Sequence, residues 1–365
     1  ALMYGSMCVC LSVGVWLFLA SKYEMPVSTT HSCVGGMIGM TMVLKGSNCV
    51  IWYEEKDSFP YVGGVIGIIA SWFVSPILSA LISSTVFATI RAFVLRSDNS
   101  FNHTTILFPT LIGSVATINS FFIIYKGAKG LGLNDTHFDT ACLWSFGIGT
   151  TSAIMVMPFT KKIKTNIDER FKMTVDLDNI SDSEDTVVGV NNNEKPIVCC
   201  RTLRKHISEN LNANIDEIVK NNEDITVIHA DAEQFDPKTE EYFKSLQVFT
   251  AICGSFSHGA NDVANAIGPF AAIYMISRDD VVHNNNELGN EGYWILGMGG
   301  LGITLGLLVY GYKIIHAIGL KLCKITPSRG VAIELASAMV IIIGSRLEIP
   351  LSTTHCQVGA TVGVA

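Results

Sequence analysis

Long apolar runs alternate with short polar links along most of this chain. Uncharged runs at Ala1–Ser21, Val62–Ile90, Ile106–Tyr125, Thr140–Thr160 and Gly292–Tyr312 approach or exceed the roughly 20 residues a helix needs to cross a bilayer. Three further apolar runs contain ionisable residues: Met25–Leu44 holds His31, Leu246–Ile276 holds His258 and Asp262, and Gly330–Ser345 holds Glu334. A last run opens at Pro350, so eight helical stretches and part of a ninth are expected. The pattern predicts an all-α, polytopic membrane protein. Ser75-Pro76 and Gly268-Pro269 are expected to interrupt their runs, because proline lacks a backbone donor and clashes with the preceding turn.

The charge is concentrated in one place. Between Lys161 and Ser245 lie 12 basic and 18 acidic residues, so 30 of the 57 charges fall in 85 of the 365 positions. The division this implies is a first membrane bundle over 1–160, a polar and partly disordered linker over 161–245, and a second bundle over 246–365. A helix is expected within the linker at His206–Val219. The net charge of −7 arises almost wholly in the linker, so it is no sign of a nucleic-acid partner, and none is expected.

Lys and Arg in short links favour the cytoplasmic side. Arg91 and Arg96, then Lys161, Lys162 and Lys164, then Lys313, Lys321, Lys324 and Arg329 fall on alternate links throughout. The linker is therefore read as cytoplasmic, Asn134-Asp135-Thr136 as an external sequon and Asn102-His103-Thr104 as an internal one. Trp52, Tyr53, Tyr61, Tyr293 and Trp294 flank runs and suit interfacial anchors. The ten cysteines form no C-x-x-C pair and no disulfide framework.

One unit is duplicated. Pro26-Val27-Ser28-Thr29-Thr30-His31 recurs as Pro350-Leu351-Ser352-Thr353-Thr354-His355. Glu24 and Glu348 precede the copies, and Gly35 with Gly39 matches Gly359 with Gly363. If Met25–Leu44 is a full crossing the copies are inverted to one another, as in many secondary transporters; if it is re-entrant they are parallel. Inversion, with helices broken near the membrane midplane, is the reading adopted.

The candidate chemistry lies in the duplicated unit and in Gly254–Pro269. A carboxylate at membrane depth is costly and marks an ion or substrate path. Asn261, Asp262 and Asn265 offer hard oxygen donors that suit a small cation such as Na⁺. Proline followed by hydroxyls suits a helix start, and a helix start inside a membrane is a site for an anion. Ser28, Thr29, Thr30, Ser352, Thr353 and Thr354 are therefore anion-site candidates. No Lys or Arg lies deep in a run, so the positive charge would come from bound cations. His31 and His355 could orient the hydroxyls or touch the anion, and Glu334 could carry an ion or proton. The alternatives are structural: Asp262 paired with another buried polar group, hydroxyls that only cap, and histidines and Glu334 that only pack.

At these residues the chain resembles the PiT family of inorganic phosphate transporters, in its eukaryotic branch. The resemblance rests on Gly259-Ala260-Asn261-Asp262-Val263-Ala264-Asn265-Ala266, on both Pro-x-Ser-Thr-Thr-His copies, and on Ile69-Ala70-Ser71-Trp72-Phe73-Val74-Ser75-Pro76-Ile77-Leu78-Ser79. It implies about a dozen helices in two inverted halves, a central site for phosphate and Na⁺, no cofactor and no enzyme activity. A lipid bilayer, most simply the plasma membrane, would be the setting, and a homodimer is compatible with it. The family carries the Gly-Ala-Asn-Asp motif in both halves, and this chain shows one copy. The other is expected upstream of Ala1 and more helix after Ala365, so residues 1–365 alone are not expected to transport. Three further readings stay open: proton coupling through Asp262 or Glu334, a receptor or phosphate sensor on a transporter scaffold, and an intramembrane hydrolase using His31, His355 and Asp262.

Overall fold

The structure is a computed structural model that describes residues 1–57, 59–126, 136–181, 219, 222–280, 292–347 and 349–365. The expected linker helix at His206–Val219 falls almost entirely outside the described residues, as do Asn134 and Glu348. The helices are α1 (Leu2–Lys22), α2 (Thr29–Lys45), α3 (Gly64–Ile90), α4 (Ser100–Lys126), α5 (Phe138–Ser181) and α6 (Glu223–Ala230). They continue as α7 (Pro237–Asp279), α8 (Tyr293–Gly306), α9 (Tyr312–Gly319), α10 (Pro327–Arg346) and α11 (Thr353–Val364). A ribbon of β1 (Glu54–Glu55) and β2 (Val62–Gly63), paired antiparallel, lies in the α2–α3 link. Six helices among the described residues are long and apolar enough to cross a membrane.

The expected interruptions at two prolines do not occur. Pro76 lies inside α3 and Pro269 inside α7, and both helices run on. Membrane helices tolerate proline where neighbouring hydroxyls and packing take up the disturbed backbone. In α3 the packing is close at this point, with Gly359 of α11 set directly against the Pro76 backbone. The breaks fall instead before the two duplicated motifs, between α1 and α2 and between α10 and α11. α5 and α7 also extend far past their apolar runs, to 44 and 43 residues. Their polar ends are joined by Lys238–Asp168 at 2.8 Å and Arg170–Glu241 at 2.9 Å.

α10 is the central helix. Apart from Arg329 and Glu334 its first four turns are apolar or small, as expected of a helix buried on most sides, and Val331, Ala332, Ile333, Ala336 and Val340 are fully enclosed. α3, α7 and α11 surround it, with the largest core formed by Phe87, Phe108, Tyr242, Phe243 and Leu246.

Candidate functional site

The two Pro-x-Ser-Thr-Thr-His copies meet at their helix starts. Ser28 is the N-cap of α2 and accepts from the His31 N–H at 3.2 Å; Ser352 is the N-cap of α11 and accepts from the His355 N–H at 3.2 Å. Each cap satisfies one of the donors that a helix start leaves free. The third hydroxyl of each copy reaches into the other. Thr30 Oγ1 donates to the Leu351 carbonyl and Thr354 Oγ1 to the Val27 carbonyl, both at 3.3 Å. The two contacts are reciprocal between the copies.

Asp262 lies on that junction. Its Oδ2 accepts from Thr353 Oγ1 at 2.9 Å and its Oδ1 from Thr29 Oγ1 at 3.4 Å. Asn265 Nδ2 donates to Thr30 Oγ1 at 2.9 Å, and Asn261 Nδ2 approaches Asp262 Oδ1 at 3.5 Å. The anion-site and cation-site candidates are therefore one cluster. A carboxylate is placed where two helix starts present their positive dipole ends, which favours negative charge there.

The histidines flank this cluster as a pair. The His31 and His355 rings lie 4.8 Å apart, and His31 also lies 5.2 Å from Trp72. His31 Nε2 and His355 Nδ1 are buried with no hydrogen-bond partner among the described residues. Glu334 is the one candidate that stands apart. It hydrogen-bonds Thr250, which precedes Asp262 by three turns of α7, or about 18 Å.

A seam that sequence reasoning did not single out positions α11. Ser71, Ser75, Ser79 and Ser83 repeat at every fourth residue of α3, and all four are buried. Ser79 donates to the Cys356 carbonyl at 2.7 Å, Ser83 to the Ala360 carbonyl at 2.8 Å and Ser71 to the Pro350 carbonyl at 3.2 Å. Gly359 and Gly363 face the α3 backbone at Pro76 and Ala80, with no room for a side chain. The spacing of four serines in an apolar run was the available signal, since small and hydroxyl residues join helices in membranes.

Comparison with known proteins agrees with this geometry. The family model described as the phosphate transporter family matches residues 1–365. The chain is 30% identical over 354 residues to the inorganic phosphate transporter 2-1, chloroplastic, of Arabidopsis thaliana, covering 97% of this chain and 50% of that one. It is 25% identical over 545 residues to the sodium-dependent phosphate transporter 1 of Rattus norvegicus, covering 100% of this chain and 78% of that one. A solved structure titled the sodium-dependent phosphate transporter superposes with a TM-score of 0.68 at 27% identity, covering 100% of this chain and 70% of that one. The full-length family match, the multi-pass helical fold and the motif-built site together make this chain an integral membrane protein of the phosphate transporter family, a carrier rather than an enzyme.

Proposed function

We propose that the protein is a symporter that moves inorganic phosphate with Na⁺ by alternating access. The observation that carries this reading is Asp262, held by threonines from both helix starts. An empty site would repel phosphate, because the carboxylate already occupies the focus of both dipoles. A cation bound by Asp262, Asn261 and Asn265 would neutralise that charge. It would also compete for the carboxylate lone pairs and free Thr29 and Thr353 to donate to phosphate. Ser28, Thr30, Ser352 and Thr354 would complete the phosphate shell by small rotations, and His31 and His355 would offer their unpartnered nitrogens. Cation first and anion second follows from the electrostatics alone.

The inverted relation of the two copies, with bundles over 1–160 and 246–365 joined by the segment 161–245, belongs to the same proposal and is supported by the reciprocal Thr30 and Thr354 bonds. The plasma membrane is the proposed location. Uptake of radiolabelled phosphate into liposomes holding the full-length protein, with Na⁺ or choline outside at two pH values, tests the reading. Uptake should require Na⁺ and vanish in Asp262→Asn. Uptake indifferent to Na⁺ and driven by external acid would replace it with proton coupling.

A further inference from the structure

The stretch leading into α7 straps together helices from both parts of the chain on the face that carries Arg91, Arg96 and Arg329. Glu233 is its centre. The Glu233 carboxylate accepts from Arg96 Nε at 2.8 Å and Nη2 at 3.0 Å, and Arg91 Nη1 lies 3.6 Å away. Its main-chain carbonyl accepts from Arg329 Nη2 at 3.2 Å. Arg329 stands in the first turn of α10 and is only 5% exposed. Its guanidinium lies 5.3 Å from the Phe87 ring of α3 and 5.8 Å from Phe235. Arg91 approaches the same Phe87 ring at 5.8 Å. Two guanidinium groups thus share one aromatic ring, and a third stands beside them on Glu233.

Flanking bonds extend the strap. His229 Nε2 pairs with the Leu320 carbonyl at 3.0 Å, Thr239 Oγ1 with Ser100 Oγ at 2.9 Å, and the Glu240 carboxylate accepts from Ser328 N at 2.9 Å and Ser328 Oγ at 2.7 Å. Glu233 is the carboxylate that neutralises the cluster. Without it Arg91, Arg96 and Arg329 would repel one another across the α3–α10 contact, so its loss reverses the sign of the interaction as well as removing bonds.

We propose that Glu233 is a positioning residue for transport: it holds the linker face of the carrier closed by joining α3 to α10, and opening toward that face requires its release. This rests on the alternating-access reading above. A native reporter lies in the link that the strap contacts: His229 bonds the Leu320 carbonyl, and three residues on Cys323 is a free thiol, buried, and set against the Thr361 carbonyl of α11.

The test is the rate at which a polar maleimide modifies Cys323 in the purified, reconstituted protein, read by peptide mass spectrometry in wild type, Glu233→Gln and Glu233→Asp. Glu233→Gln should accelerate modification about threefold to fivefold, the effect of losing up to about 1 kcal/mol at a partly exposed ion pair. Glu233→Asp should fall between the two, and apparent affinity for external phosphate should drop in Glu233→Gln by a smaller factor than labelling rises, since a gain in the minor linker-open population takes little from the outward one. An unchanged rate at Cys323 would overturn the proposal. So would equal acceleration at Cys356, which is sealed in the α3–α11 seam and would report general loosening. Faster labelling of Cys323 alone in a protein that takes up no phosphate would sink the transport reading and keep the strap.

Discussion

Gly35 and Gly359 hold the same place in the two motif copies, yet their surroundings differ, and this makes a matched pair for mutation. A Cβ added at Gly359 would lie 2.6 Å from Pro76 Cα and 2.8 Å from Pro76 C, whereas one added at Gly35 would have nothing within 4 Å. The obstacle at Gly359 is backbone, so it cannot rotate aside, and α11 must move away from α3. Overpacking of this kind costs about 1–3 kcal/mol. Stretching the Ser79 and Ser83 bonds to α11 adds about 0.5–1.5 kcal/mol each, while alanine in a helix recovers about 0.5–1 kcal/mol relative to glycine. Gly359→Ala should therefore lose about 1–5 kcal/mol, and Gly35→Ala should be neutral or gain up to about 1 kcal/mol. Thermal unfolding of the detergent-solubilised protein, followed by size-exclusion fluorescence, compares them directly. Gly359→Ala should melt several degrees lower and Gly35→Ala no lower than wild type. Uptake should fall in Gly359→Ala, because the displaced α11 carries Thr353 away from Asp262. Equal losses at the two glycines, or none at Gly359, would refute the asymmetry on which the estimate stands.

Three further outcomes follow from particular contacts. Ser352→Ala and Ser28→Ala each remove an N-cap from a helix start and should cost about 1 kcal/mol of thermal stability apiece; a neutral result in both would mean that these hydroxyls do not cap. Thr353→Val should destabilise more than Thr29→Val, because a 2.9 Å bond to a carboxylate outweighs one at 3.4 Å; charge-assisted bonds contribute about 1.5–3 kcal/mol, and equal melting shifts would count against the geometry. Arg96 beside Glu233 and Lys238 beside Asp168 hold both carboxyls below the usual carboxylate range. A depressed carboxyl stabilises the fold above its unfolded pKa of about 4 and loses that contribution as pH falls through the lower folded value. Thermal stability should accordingly fall on acidification below pH about 4 in wild type, and less in Glu233→Gln, as followed by size-exclusion fluorescence.

The helical runs, the duplicated motif and the cluster of Asn261, Asp262 and Asn265 were legible in the sequence because each rests on local chemistry or on repetition. What was not legible depends on packing between distant segments. Pro76 and Pro269 read as interruptions, since the rule for proline weighs a helix in isolation, and in the fold α3 and α7 run on through them, packed against neighbouring helices. Asp262 and the threonines read as separate cation and anion sites, because 233 and 91 positions of chain separate it from Thr29 and Thr353. Glu334 read as a carrier of an ion or proton or as a packing residue, with its distance from Asp262 not legible; the pitch of α7 places its contact with Thr250 three turns away. The polar ends of α5 and α7 read as linker because hydropathy registers the membrane and not the ion pairs that continue a helix beyond it.

α7 runs unbroken from Pro237 to Asp279, and Glu240 and Asp262 therefore sit on one stiff rod about 33 Å apart. The rod acts as a lever. A tilt of about 5° pivoting at the Glu240 end carries the carboxylate sideways by about 3 Å over that length, comparable with the whole span of its bond to Thr353. Small angular play where α7 meets the start of α10 is thereby magnified into the making or breaking of contacts at Asp262. An ion that fixes Asp262 in place must, by the same geometry, steady the far end of the rod.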